Sequence, residues 1–264
     1  MNYKKLASSI NAAIDKKPDD KGAYGDLFSL CRAWEAEDFA AAHAANKALK
    51  AKCAAQLRVS ADKASFYEQW RKCLLFEAPH DFDSYLTYME LDRQADKRFY
   101  QPRKKQLKPV VDALQALCGD DELDLLAVSL PPGVGKTTLA IFLLTWIAGR
   151  DPNHPNLTGS HSNSFVRGVY DECLRLFDAQ GEYLWHDVFP AVQVSSTNAK
   201  DCRIDLDKCQ RFETLEFTSI GTGNAGLYRA ANLLYCDDLV SGIEVALSKA
   251  VSYTHLTLPT TSRV

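Results

Sequence analysis

The segment LPPGVGKTT, residues 130–138, sits between the apolar stretch LDLLAVSL (123–130) and the apolar run LAIFLLTWIAG (139–149). By length and composition the first is expected to be a short buried strand, and 136–149 an apolar helix. A strand that feeds a glycine-rich turn and then Lys-Thr at the mouth of a helix is the setting of a phosphate-binding loop. Gly133 and Gly135 let the backbone approach a ligand closely. The amides of Val134, Gly135, Lys136, Thr137 and Thr138 can then wrap phosphate oxygens, helped by the positive end of the helix dipole. In that role Lys136 reaches the β and γ phosphates of ATP and the Thr137 hydroxyl ligates Mg²⁺. The common spacing asks for glycine at position 130, where this chain has Leu130 followed by Pro131 and Pro132. An ordinary βα turn that happens to contain GKT fits the strand–loop–helix setting less well.

A second motif supports the first. NLLYCDDLVSG (232–242) runs an apolar stretch into two adjacent acids, Asp237 and Asp238. Taken alone, such a pair is a strand ending in a turn. Opposite a phosphate loop it acquires a chemistry, because P-loop ATPases place an acid at the tip of a second apolar strand to hold Mg²⁺ through water. Those that hydrolyse with an internal base put a second acid directly after it. Asp237 fits the metal acid and Asp238 the carboxylate that orients the attacking water.

Working outward, Asp26 to Ala78 contains neither Gly nor Pro and favours helix. Phe66, Trp70, Cys73 and Leu74 mark one apolar face; Phe82, Tyr85, Leu86 and Met89 mark another. Residues 1–96 therefore read as a helical N-terminal region, in which the Ala-rich FAAAHAANKALKAKCAAQL is expected to pack into a core. Leu107, Val110, Val111, Leu114 and Leu117 predict one more helix, with Pro109 near its start or kinking it. Strands are expected at 156–161, 213–220 and 232–236, and a helix at 164–179. Strands alternating with helices predict an α/β domain with a mainly parallel sheet over 97–250.

The bulk composition is ordinary for a globular chain: 264 residues, 46% hydrophobic and 25% charged, with a net charge of −3. Nucleic-acid binding would thus require a local basic patch. The eight cysteines form no C-x-x-C pair, so a reducing, intracellular setting without a disulfide framework or zinc site is expected. The charged, amphipathic N-terminus is not a secretory signal, and 139–149 is too short to span a membrane. EYLWHDVFP (182–190) reads as an aromatic anchor at a helix end rather than a metal site.

The stretches FYQPRKKQLKPVVDAL, SLPPGVGKTTL, SHSNSFVRGVYDECLRL and SIGTGNAGLYRAANLLYCDDLVSGIEVALSK together resemble the large terminase subunit of tailed bacteriophages or a prophage. That family is an ATP-driven motor that packages DNA into a capsid. The resemblance covers roughly 97–250 and implies a P-loop NTPase fold of the ASCE type, with ATP and Mg²⁺ as cofactors. It further implies an adenine-side contact at Tyr100 and Gln101, with Arg103 nearby. Arg229 takes the place of the arginine before the Walker B strand, where it would sense the γ-phosphate or pair with a core acid. Ser160 and His161 match a polar pair after the P-loop helix. The implied partners are double-stranded DNA, the small terminase subunit and the portal ring, with a homo-oligomer at full length, in the cytoplasm of a bacterial host cell and with no membrane.

The end of the chain reads differently. VSYTHLTLPTTSRV (251–264) has four Thr in fourteen residues and continues no pattern before it. The codons GTC TCT TAT ACA CAT CTG ACG CTG CCG ACG A spell Val251 to Thr260 and begin Thr261, and that string looks like a transposase sequencing adapter. The expectation is that native sequence stops near Ala250, leaving out the strand after Walker B, the coupling segment and the family's nuclease domain. Such a fragment should be weakly active. Two other functions compete: another P-loop ATPase, such as a helicase or replication protein, and a nucleotide-regulated assembly or adaptor protein that binds ATP without turning it over.

Overall fold

The computed structural model describes residues 2–119, 123–209, 211–219 and 230–239. The chain divides into two compact units, Met1–Val128 and Ser129–Val264.

The first unit is helical: α1 (Tyr3–Lys16), α2 (Lys21–Trp34), α3 (Phe39–Val59), α4 (Lys63–Glu77), α5 (Phe82–Met89) and α6 (Tyr100–Leu117). The first five start alike. Asn2, Asp20, Asp38, Asp62 and Asp81 each accept the backbone N–H three residues on, which satisfies an otherwise unpaired donor at the helix mouth. Each cap contributes about 1 kcal/mol. The Ala-rich α3 turns Ala42, Asn46, Leu49 and Cys53 into the core at helical spacing, against α2 and α4. Asn46 in that stripe donates to the carbonyl of Cys73 at 2.9 Å and to Glu77 at 3.0 Å. Lys50 and Ser84 complete the bonding of the buried Glu77 carboxylate.

The division at Val128 corrects the boundary expected at residue 96. Helix α6 is bonded into the helical unit at both ends. Glu90, fully buried, accepts the N–H groups of Phe99 and Tyr100 at 2.7 and 2.8 Å. Farther along, Gln115 accepts the N–H of Phe82 at 2.7 Å. Pro109 lies inside α6 on its exposed side, without ending the helix.

The second unit is mixed α/β. It comprises α7 (Lys136–Arg150), β1 (Asn156–Ser160), α8 (Asn163–Phe177), α9 (Trp185–Val188), β2 (Val194–Asn198), β3 (Arg203–Leu206), β4 (Leu215–Ser219) and β5 (Leu234–Cys236). The strands form one sheet in the order β2-β3-β4-β1-β5. β1 lies between β4 and β5 and runs parallel to both, with Thr158 opposite Phe217 on one side and Tyr235 on the other. Helix α8 packs against β1 and β4. Trp185 opens α9, fully buried against Phe177, and its indole N–H donates to the carbonyl of Thr145 at 3.1 Å. It is an aromatic anchor, as its sequence suggests.

Two expectations need correction here. The sheet is mixed rather than mainly parallel, because β2 and β3 form an antiparallel hairpin that continues antiparallel onto β4. Residues 123–130, read as the strand before the glycine-rich turn, form no strand, and Leu125 is 71% exposed. A short apolar segment becomes a strand only when a neighbour takes up its backbone groups. Among the described residues none does so for this one. Arg229, the segment 220–229 and the tail from 240 onward lie outside the described residues.

Candidate functional site

The turn before α7 bends through two glycines in the left-handed region, Gly133 at φ 80° and Gly135 at φ 100°. Gly135 caps α7, and the first intrahelical bond runs from the N–H of Leu139 to its carbonyl at 2.9 Å. The amides of Lys136, Thr137 and Thr138 therefore precede that bond, at the end of a helix that favours anions. Any residue with a Cβ would be strained at either glycine.

The second half of the site comes from β5. Its pairing with β1 continues past the last strand residue, where the N–H of Asp237 donates to the carbonyl of Gly159 at 3.0 Å. That places the Asp237 side chain, only 6% exposed, at the C-terminal ends of the parallel strands. Lys136 Nζ lies 2.7 Å from Asp237 Oδ1. Thr137 Oγ1 is 3.5 Å from Oδ2, the outer limit of a hydrogen bond, and the Tyr235 hydroxyl donates to Oδ2 at 2.9 Å. The bond to Asp237 holds the Lys136 ammonium above its ordinary pKa, opposed by burial and reinforced by the field of Asp238. Burial first, and then Asp237, push the Tyr235 phenol well above its ordinary value, so it remains a donor.

Asp238 is exposed and takes a left-handed backbone, φ 45°. Its carbonyl accepts the N–H of His161 at 2.9 Å and also bonds the His161 ring at Nδ1. His161 thus follows β1 and fastens the backbone of Asp238, while the adjacent Ser160 is fully buried.

The structure accordingly brings Lys136, Thr137 and Asp237 into one cluster across about a hundred residues of sequence, with Asp238 adjoining. Tyr100 and Gln101 stand differently within the helical unit. Tyr100 is completely buried and its hydroxyl bonds Asp83, so its ring presents no face to a ligand; Gln101 is exposed. Arg103 donates to the carbonyl of Phe99 at 3.0 Å and lies over the Phe99 ring. Tyr235 is the site residue that the sequence reading missed. Its signal was the two-residue spacing to Asp237, which puts both side chains on one face of a strand.

Mg²⁺ is the implied metal, and the donor set suits it. A hydroxyl and a buried carboxylate face one another, which are hard oxygen ligands of the kind Mg²⁺ takes while keeping several waters. No protein-family model matches the chain, and neither a curated protein nor a solved structure matches it.

Proposed function

We propose that the α/β unit is a P-loop ATPase site and that the chain belongs to a DNA-packaging motor of the large-terminase kind. The observation that carries the ATPase reading is the lysine of the glycine-rich turn paired at 2.7 Å with the buried acid ending β5. Two motifs far apart in sequence meet where a phosphate chain would lie. The motor reading adds the family resemblance of residues 97–250 to that geometry.

In this reading Lys136 exchanges Asp237 for the β and γ phosphates when ATP binds. The exchange keeps its charge compensated throughout, and the amides of Val134 to Thr138 bind the remaining phosphate oxygens. Thr137 and Asp237 would hold Mg²⁺, whose chemistry is to neutralise charge on the phosphates. Asp238, exposed and fastened through its backbone by His161, takes a proton from the attacking water and aims it. Tyr235 keeps Asp237 oriented through the exchange.

The test measures Mg²⁺-dependent ATP binding and hydrolysis with and without double-stranded DNA. Lys136→Ala is expected to abolish detectable nucleotide binding. Asp238→Asn is expected to leave binding intact and lower turnover roughly 100-fold or more, with DNA raising the wild-type rate. If Lys136→Ala binds ATP as the wild type does, the site reading fails. Turnover unchanged by Asp238→Asn would instead leave a nucleotide-binding adaptor, and turnover indifferent to DNA would remove the motor.

A further inference from the structure

The helical unit carries a second cluster of chemistry-bearing side chains, unrelated to the phosphate-type site. Glu35 follows directly after α2, His43 lies in α3, and His80 lies in the loop between α4 and α5. One donor atom from each of the three falls within 4.8 Å of the other two.

The ring of His43 is fixed by its neighbours. Phe39 stacks on it at 4.1 Å between centroids and Phe76 at 4.5 Å, with interplanar angles of 28° and 18°. Stacked rings leave the edge of an imidazole, where the nitrogens are, as its bonding surface. At that edge Nε2 stands 2.9 Å from Glu35 Oε1. His80 meets His43 nearly at right angles, with centroids 5.2 Å apart, and also packs edgewise on Phe39 at 4.8 Å. Its backbone is held at both sides: the N–H donates to the carbonyl of Glu77 at 2.9 Å, and the carbonyl accepts from Gln115 at 3.2 Å.

We propose that Glu35, His43 and His80 form a Zn²⁺-binding site with one open position for water. A hydrogen bond between His43 and Glu35 would satisfy those two residues on its own. His80 adds, from a separate loop, a second imidazole with a ring nitrogen within 4.8 Å of the donor atoms of both. Two imidazole nitrogens and one carboxylate oxygen are a ligand set typical of Zn²⁺, and three protein ligands leave the fourth tetrahedral position to solvent. At metal–ligand distances of about 2.1 Å, tetrahedral donors sit about 3.4 Å apart. Rotation of the exposed His80 side chain is what draws the set together. The metal ties the end of α2, the body of α3 and the α4–α5 loop to one point.

The test uses the full chain, with any purification tag removed, titrated with Co²⁺ as a spectroscopic probe and then with Zn²⁺. One equivalent of Co²⁺ should give a visible d–d band that Zn²⁺ abolishes, and Zn²⁺ should raise the melting temperature. Glu35→Gln and His80→Ala each replace a side chain that is not buried. Both should keep the wild-type circular dichroism while weakening Zn²⁺ binding at least about tenfold. Three results would overturn the proposal: no d–d band, affinity unmoved by both substitutions, or a spectrum dominated by thiolate-to-cobalt charge transfer, which would place the metal on cysteines.

Discussion

Asp237 and Glu216 are both buried carboxylates of the α/β unit, and they are treated differently by their surroundings. Asp237 has both oxygens bonded, Oδ1 by Lys136 and Oδ2 by Tyr235, with Thr137 at the limit of reach. Glu216, on β4 and 2% exposed, has Arg203 opposite it on β3, with Nε 2.8 Å from Oε1. That guanidinium is shared with Glu213. Burial outweighs the attraction of Arg203 and, with the repulsion of Glu213 and Asp201, pushes the Glu216 carboxyl from 4.5 up to about 7. Between those two values the folded chain holds a proton that the unfolded chain has lost. The stability tied to this proton is therefore complete below pH 4.5, declines as pH rises, and is gone above about 7. Glu216→Gln mimics the protonated form and should remove the decline. Urea titrations of wild type and variant at pH 5 and pH 7.5 should diverge by about 2 kcal/mol, the variant being the more stable at the higher pH. A difference that does not change with pH would show that Glu216 titrates normally.

At the scale of elements, α7 and the residues after α9 approach each other closely at Gly149. A Cβ placed on Gly149 would come within 2.4 Å of Cδ2, 2.5 Å of Cε2 and 2.7 Å of Cγ in the Phe189 ring. That ring is held against Trp185, itself packed on Phe177, so it has little freedom to retreat. Gly149→Ala improves helix propensity by about 1 kcal/mol, yet the overlap should cost more. The expected net loss is about 1–2 kcal/mol in urea unfolding, partly restored by adding Phe189→Leu. A neutral or stabilising Gly149→Ala would mean that this contact is loose. Elements of this kind were unevenly legible in the sequence. The N-terminal helices are legible through the Gly- and Pro-free stretch Asp26 to Ala78 and the apolar periodicity around it, and β5 through the compact apolar run NLLYC. β2 and β3 stay hidden because VSSTN has no apolar alternation and RIDL is only four residues long; their strand state depends on pairing with each other and with β4. Residues 123–130 misled in the opposite direction, since an apolar run looks the same whether or not a neighbouring strand receives it. The same limit applies at the candidate site. Lys136, Thr137, Asp237 and Asp238 stand out by local spacing, whereas the burial of Tyr100 comes from Asp83 and Glu90 elsewhere in the helical unit.

For the whole molecule, the division into units turns on the stretch that joins them. Within the first unit a continuous core runs through α1 to α4, including Ile14, Leu27, Cys31, Leu49, Cys53 and Phe66. The second has its own interior between the sheet and its helices, including Phe142, Trp146, Cys173, Ile204 and Leu215. No helix among the described residues is long and apolar enough to cross a membrane. Residues 123–133 have neither helix nor strand, and Asp124, Leu125, Ala127, Ser129, Pro131, Pro132 and Gly133 are exposed. A protease needs about ten residues of extended backbone to enter its cleft, which a hydrogen-bonded element denies it and this joining stretch supplies. Under brief, dilute chymotrypsin the earliest cut should therefore fall after Leu125 or Leu126, although all the aromatic residues that this enzyme prefers lie elsewhere. The product ending there should retain the helical circular dichroism of α1 to α6, because every cap and core contact described for those helices lies inside Met1–Val128. Mass spectrometry of the first fragments decides the matter. An initial cut inside α2 to α5 or between β1 and β4 would mean that the units open before the joining stretch does, and that neither holds its core independently.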